Sequence, residues 1–188
     1  ALGDGSDYNF LWNGQTILDT DYLSTFLLPT YPGLVTELIL NFLDSQEQDG
    51  FINFKMGPGG QDKHILGTPI LVNLVWRVYQ VTENVGFLER VFPKLLKFVK
   101  SWFSNDQDRD GDGLPEWEHL VQTGYDDNPV FSPLSPLSIG AEISKTETPS
   151  LCAFLYNEIV ILKEIAGLVN QEESISDLEP IASTIGSA

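Results

Sequence analysis

Thr68 to Phe103 reads TPILVNLVWRVYQVTENVGFLERVFPKLLKFVKSWF, and the fold of the chain is decided here. Apolar residues return every three or four positions, the period of a helix that buries one face. Thr68 and Pro69 read as a cap and a first-turn proline, opening a helix from about Thr68 to Thr82. A second helix runs from about Val85 to Phe103. Pro93 falls inside it and predicts a kink, or a short helix followed by a longer one, because proline has no amide to donate. The aromatic stripe Trp76, Tyr79, Phe98 and Trp102 reads as core.

The same period extends outward. Pro32 to Ser45 carries Leu34, Val35, Leu38, Ile39, Phe42 and Leu43 at helical spacing, with Pro32 in the first turn. A shorter helix is expected from Asp21 to Leu28. On the other side, Thr148 and Pro149 open a long helix to about Val169, and a last one starts near Glu172. Between helices, QDGFINFKMGPGGQD (Gln48 to Asp62) reads as a small hairpin or extended loop. FSPLSPLSIGAEISKTETPS (Phe131 to Ser150) has no clear period, and long irregular loops in compact domains are often functional. Six or seven helices without βαβ alternation predict an all-α domain of stacked hairpins, with long polar loops on one side.

At 188 residues the chain suits one domain, and 42% apolar residues suffice for a sizeable core. A net charge of −17 repels phosphate backbones and anionic membrane surfaces, so nucleic acid and membrane are excluded as partners. The single cysteine, Cys152, rules out a disulfide within the chain and reads as a buried core thiol. No apolar run reaches the roughly 18 residues a bilayer span needs. No basic-plus-apolar signal peptide opens the chain, and a mature secreted protein would no longer carry one. The compartment therefore stays open, with the cytoplasm slightly favoured.

Carboxylates crowd into DQDRDGDGLPEWEHLVQTGYDDNP, Asp106 to Pro129, where Arg109 is the only fixed positive charge. Asp108, Asp110 and Asp112 alternate, Gly113 permits a bend, and Glu116 supplies a further oxygen. Hard cations want several oxygens at once, so this is a candidate calcium (Ca2+) site of structural role. It is not a complete EF-hand, since the twelfth position from Asp108 is His119 rather than Glu. A second register, Asp106, Asp108, Asp110 and Gly111, fits the same template. The plain alternative is a solvated acidic loop. Further on, GYDDNP sets Asp126 and Asp127 side by side. Adjacent carboxylates raise one another's pKa, and a raised carboxylic acid is what a glycosidase needs to protonate a leaving oxygen. Alone, the same residues make an ordinary turn.

Four stretches together resemble glycoside hydrolase family 63 and its relatives. These relatives are processing α-glucosidases, mannosylglycerate-type hydrolases and, more distantly, trehalases. LWNGQTILDTDYLSTFLLPTYPGLVTELILNFLDSQEQDGFI resembles the opening barrel helices and their return. HILGTPILVNLVWRVYQVTENVGFLERVFPKLLKFVKSWF resembles the next hairpin. DRDGDGLPEW with GYDDNP resembles the active-site loop, and ETPSLCAFLYNEIVILKEIAGLV the helix after it.

The resemblance implies part of an (α/α)6 toroid and an inverting α-glucosidase-like glycosidase, acting on an α-glucoside or related α-linked sugar. It implies Asp126 as general acid, Asp127 as a substrate-contacting or pKa-tuning neighbour, and Tyr125 as a ring that stacks on sugar. Relatives often carry Glu-Ser before the glycine and Trp after it, where this chain has Gln122, Thr123 and Tyr125. Asp19 aligns with an Asp of a Trp-Asp sugar-contact motif whose tryptophan is Leu18 here; a helix cap is its alternative role. Trp12 is a candidate floor for the sugar or a core residue. Trp117, between two glutamates, is expected to be exposed and to bind substrate. His64, ahead of a helix, is structural or a ligand contact.

The resemblance places the catalytic base on a Glu that residues 1–188 do not match. A twelve-helix barrel needs roughly 250 residues or more, so the chain reads as a fragment, inactive alone, whose partner is the rest of the barrel. A non-catalytic, calcium-stabilised helical module that binds carbohydrate or a protein partner is the alternative. A third is another α-barrel glycosidase, such as a β-glucosidase of a neighbouring family.

Overall fold

The computed structural model describes residues 14–57, 64–124, 128–131, 133 and 141–187. Six helices dominate: α1 (Ile17–Leu27), α2 (Pro32–Asp44), α3 (Leu71–Thr82), α4 (Val85–Ser101), α5 (Pro149–Leu168) and α6 (Leu178–Ser187). Two short strands, β1 (Gln15–Thr16) and β2 (Lys55–Met56), pair antiparallel.

Local chemistry sets most boundaries. Thr16 caps α1, its hydroxyl accepting from the Asp19 amide at 2.9 Å and donating to the Asp19 carboxylate at 2.8 Å. That cap starts α1 four residues ahead of the expected Asp21. Pro32 is the first residue of α2, where its missing amide costs nothing. Between α3 and α4 only Glu83 and Asn84 intervene. Glu83 takes a left-handed conformation, φ 51°, that ends α3. Asn84 then caps α4 by accepting from the Phe87 amide at 3.0 Å. Thr148 caps α5, accepting from Leu151, with Pro149 in its first turn as expected.

Four expectations need correction. Thr68 does not cap α3, which starts at Leu71 after Ile70; the Thr68 hydroxyl donates instead to the Gln122 carbonyl. Pro93 does not split α4, which is continuous over 17 residues with Pro93 on its exposed side. The last helix is two elements, a 3₁₀ turn (Glu172–Ile175) and then α6. The 51–57 segment does fold back, through a bridge between Asn53 and Leu66, yet β2 itself pairs with β1.

The helices run up and down. Tight turns join α1 to α2 and α3 to α4 at one end. At the other, the side-chain amide of Asn41, in the last turn of α2, donates to Gln15 just ahead of α1 (3.1 Å), and the Trp102 indole donates to Gly67 ahead of α3 (3.2 Å). The long connections from α2 to α3 and from α4 to α5 therefore start and finish at this second end. Helices α1, α3 and α5 touch in succession, α2 touches α4, and α6 packs on α5. This is the layered arrangement of an all-α toroid of helical hairpins. One core joins the layers through Ile39, Phe42, Leu74, Val78, Leu95, Phe98, Leu155 and Leu162, each 4% exposed or less. Each such side chain contributes roughly 1.5–3 kcal/mol by leaving water.

Candidate functional site at the loop end

The acidic loop leaves α4 and folds on its own carboxylates. Asp108 accepts from the Gly111 amide with Oδ1 (3.0 Å) and from the Gly113 amide with Oδ2 (3.1 Å). Asp110 accepts from the Asp112 amide, and Asp112 from the Leu114 amide at 2.8 Å. Gly111 and Gly113 hold φ of 77° and 91°, which only glycine adopts cheaply. The result brings carboxylate oxygens of Asp108, Asp110 and Asp112 within 4.8 Å of one another. That is the first of the two registers; Asp106 stays outside the group.

Glu116 does not join them. It is buried, accepts from the Arg109 amide at 3.2 Å, and lies 3.9 Å from the Arg109 guanidinium. Its carboxylate has a protein partner already, so it braces the loop. A residue the sequence did not single out takes a place nearby. Glu147, exposed just ahead of α5, has its carboxyl pushed up, first by slight desolvation and then by Asp112, Asp110, Glu116 and Asp108. No local pattern marks it.

Trp117 is a correction. Its ring is 1% exposed, edge-on to Trp102 at 5.9 Å and to Phe154 at 6.5 Å, and its indole donates to the Thr148 hydroxyl at 2.8 Å. A ring so enclosed has no face for a sugar. It is a core pin between the acidic loop and the start of α5. Cys152 is half-buried rather than core, and it lines an open groove of about 600 Å³ with Leu114, Glu147, Tyr156 and Ile185. Its thiol is pushed up by burial, and further by Glu147 and Asp112. His64 lies elsewhere on the rim, stacked on Phe51 at 3.6 Å and 3.8 Å from Glu47.

Beyond Trp117 the chain turns through Leu120–Gln122 to Gly124. The His119 ring accepts from the Val121 amide and caps this turn. Gly124 takes φ 79°, and a Cβ there would stand 3.2 Å from the Leu18 side chain. Leu18 and Asp19 thus begin α1 beside the loop that leads to Tyr125, Asp126 and Asp127. Asp19 is exposed there, bound to Thr16. Those three loop residues, and Trp12, lie outside the described residues. What the structure brings to one end is the carboxylate triad, the Gly124 stem and the Leu18–Asp19 corner.

Residues 28–187 match the family model described as "Mannosylglycerate hydrolase MGH1-like glycoside hydrolase domain". No curated protein matches the chain.

Proposed function

The chain belongs to the mannosylglycerate hydrolase MGH1-like glycoside hydrolase family, and on that premise we propose that it carries the acid half of an inverting glycosidase acting on an α-glucoside or related α-linked sugar. Asp126 gives its carboxyl proton to the glycosidic oxygen as the bond to the anomeric carbon breaks. Water attacks that carbon from the opposite face and yields its proton to a Glu outside residues 1–188. Asp127, Tyr125, Asp19 and Trp12 contact the sugar. The observation that carries this reading is the meeting of the Leu18–Asp19 corner with Gly124, two residues before Asp126.

Asp108, Asp110 and Asp112 are the residues that would hold calcium. Three convergent carboxylates with unused lone pairs suit a hard cation that takes six to eight oxygens. Bound there, the ion supplies positive charge to a loop of like charges. The exposed apolar side chains described below would pack against the rest of the barrel.

The test is Asp126→Asn in the full-length natural protein. Hydrolysis of α-glucosides and α-mannosides is expected to fall about 10²–10⁴-fold, the typical share of general acid catalysis, with the melting temperature unchanged. Proton NMR of the first product is expected to show the β-anomer. Retained hydrolysis in the variant, or an α-anomer product, overturns the reading.

A further inference from the structure

We propose that Gln122 is a positioning residue that fixes the stem from which Asp126 works, an inference that rests on Asp126 being the general acid. Gln122 is fully buried. Its Oε1 accepts from the amides of Glu118 and His119, both at 2.8 Å. Its Nε2 donates to the Leu66 carbonyl at 2.8 Å, and its own carbonyl accepts from the Thr68 hydroxyl at 2.8 Å. Leu66 and Thr68 are more than fifty positions away in sequence. One side chain therefore closes the turn on itself and ties it to the segment that enters α3.

A carboxamide fits this set, as a protonated carboxyl would. Two facing amides require an acceptor, and the Leu66 carbonyl requires a donor. A thioether of the same length would leave buried donors and an acceptor without partners. The anchor lies four residues before Asp126, and Gly124 between them has a left-handed conformation in which a Cβ would stand 3.2 Å from the Leu18 side chain. Proton transfer demands a placed carboxyl, and an error of about 1 Å can cost about 10²-fold in rate. Sequence comparison marks Gln122 only as a departure from relatives, because its ties to Leu66 and Thr68 come from a distant segment.

The experiment uses the full-length protein and two probes of one sugar: a methyl α-glycoside and a 2,4-dinitrophenyl α-glycoside. The methyl probe needs its leaving oxygen protonated and the dinitrophenyl probe does not. Gln122→Met is expected to lower kcat on the methyl probe by about 10²-fold. KM is expected to hold, and the dinitrophenyl probe to stay within about threefold. Asp126→Asn should show the same split. Equal loss on both probes by Gln122→Met alone makes the residue merely structural and overturns the inference. No split in Asp126→Asn overturns the acid assignment instead.

Hydrogen exchange gives a second readout that needs no turnover. Amides of Glu118, His119 and Thr123 should exchange faster by about tenfold or more in Gln122→Met, while α4 amides hold. Unchanged exchange, or loosening throughout, also overturns the inference.

Discussion

Glu158 shows how much one residue can do unannounced. It sits within α5 at 1% exposure, and its two oxygens accept from the Val72 amide at 2.7 Å and the Asn73 amide at 2.9 Å. These are orphan donors of α3's first turn, so a carboxyl group 86 positions away caps the helix that Thr68 was expected to cap. Burial pushes the Glu158 carboxyl up to about 8, against the pull of those amides. A raised pKa means that the folded state holds the proton more tightly than the unfolded chain. The associated stability is then fully present below the ordinary value of 4.5 and is lost as pH rises through about 8. Urea midpoints of the native protein should fall across that window, and Glu158→Gln should flatten the dependence. The variant should also be less stable by about 1–3 kcal/mol at pH 5, since its amide turns a donor toward one backbone N–H. A profile that the variant leaves unaltered would refute the assignment.

At the scale of elements, short-range chemistry explains most helix ends and the turns of the acidic loop, and long-range charge adds Glu147 to that loop. The Glu83–Asn84 turn, the Thr16 cap and the Pro149 start all work within four residues, although only the Pro149 start is read from the sequence. The acidic loop is different. Asp108, Asp110 and Asp112 consume backbone amides and still face one another, and Glu147 arrives from beyond a long connection. Neutralising that repulsion should stabilise the fold. Millimolar calcium is expected to raise the melting temperature of the native protein, by ligand linkage, and to leave Asp110→Asn largely unmoved. Equal response of both proteins, or no response of either, would remove calcium from the account. A rise in the native protein alone would be strong support.

Across the whole molecule, the described residues leave exposed apolar side chains on α1 and on α5. Tyr22, Leu23 and Phe26 on α1 are 64%, 52% and 79% exposed, and Tyr156 and Val160 on α5 are 43% and 40%. Grouped exposure of this kind marks a surface that wants covering. Residues 1–188 produced alone should associate with rising concentration in sedimentation velocity. Phe26→Lys with Tyr156→Lys should suppress the effect without lowering the melting temperature. Monomeric behaviour at all concentrations would show that the face is satisfied as it stands. Among the described residues no helix is long and apolar enough to cross a membrane.

The sequence by itself determined the all-α class, the helical hairpins, the Pro32 and Thr148–Pro149 helix starts and the acidic loop. Apolar period, Pro and Thr starts and alternating Asp are local codes, each acting over a few residues, and the 3.6-residue turn converts them directly into structure. Tertiary structure alone decided that Trp117 is a core pin, that Glu116 braces rather than joins the triad, that Glu147 approaches it, and that Gln122 and Glu158 bind segments more than fifty positions away. Those outcomes depend on what water leaves and which partner arrives. Burial and hydrogen-bond pairing are properties of three-dimensional contact, and a pattern along the chain holds no record of a partner so distant in it.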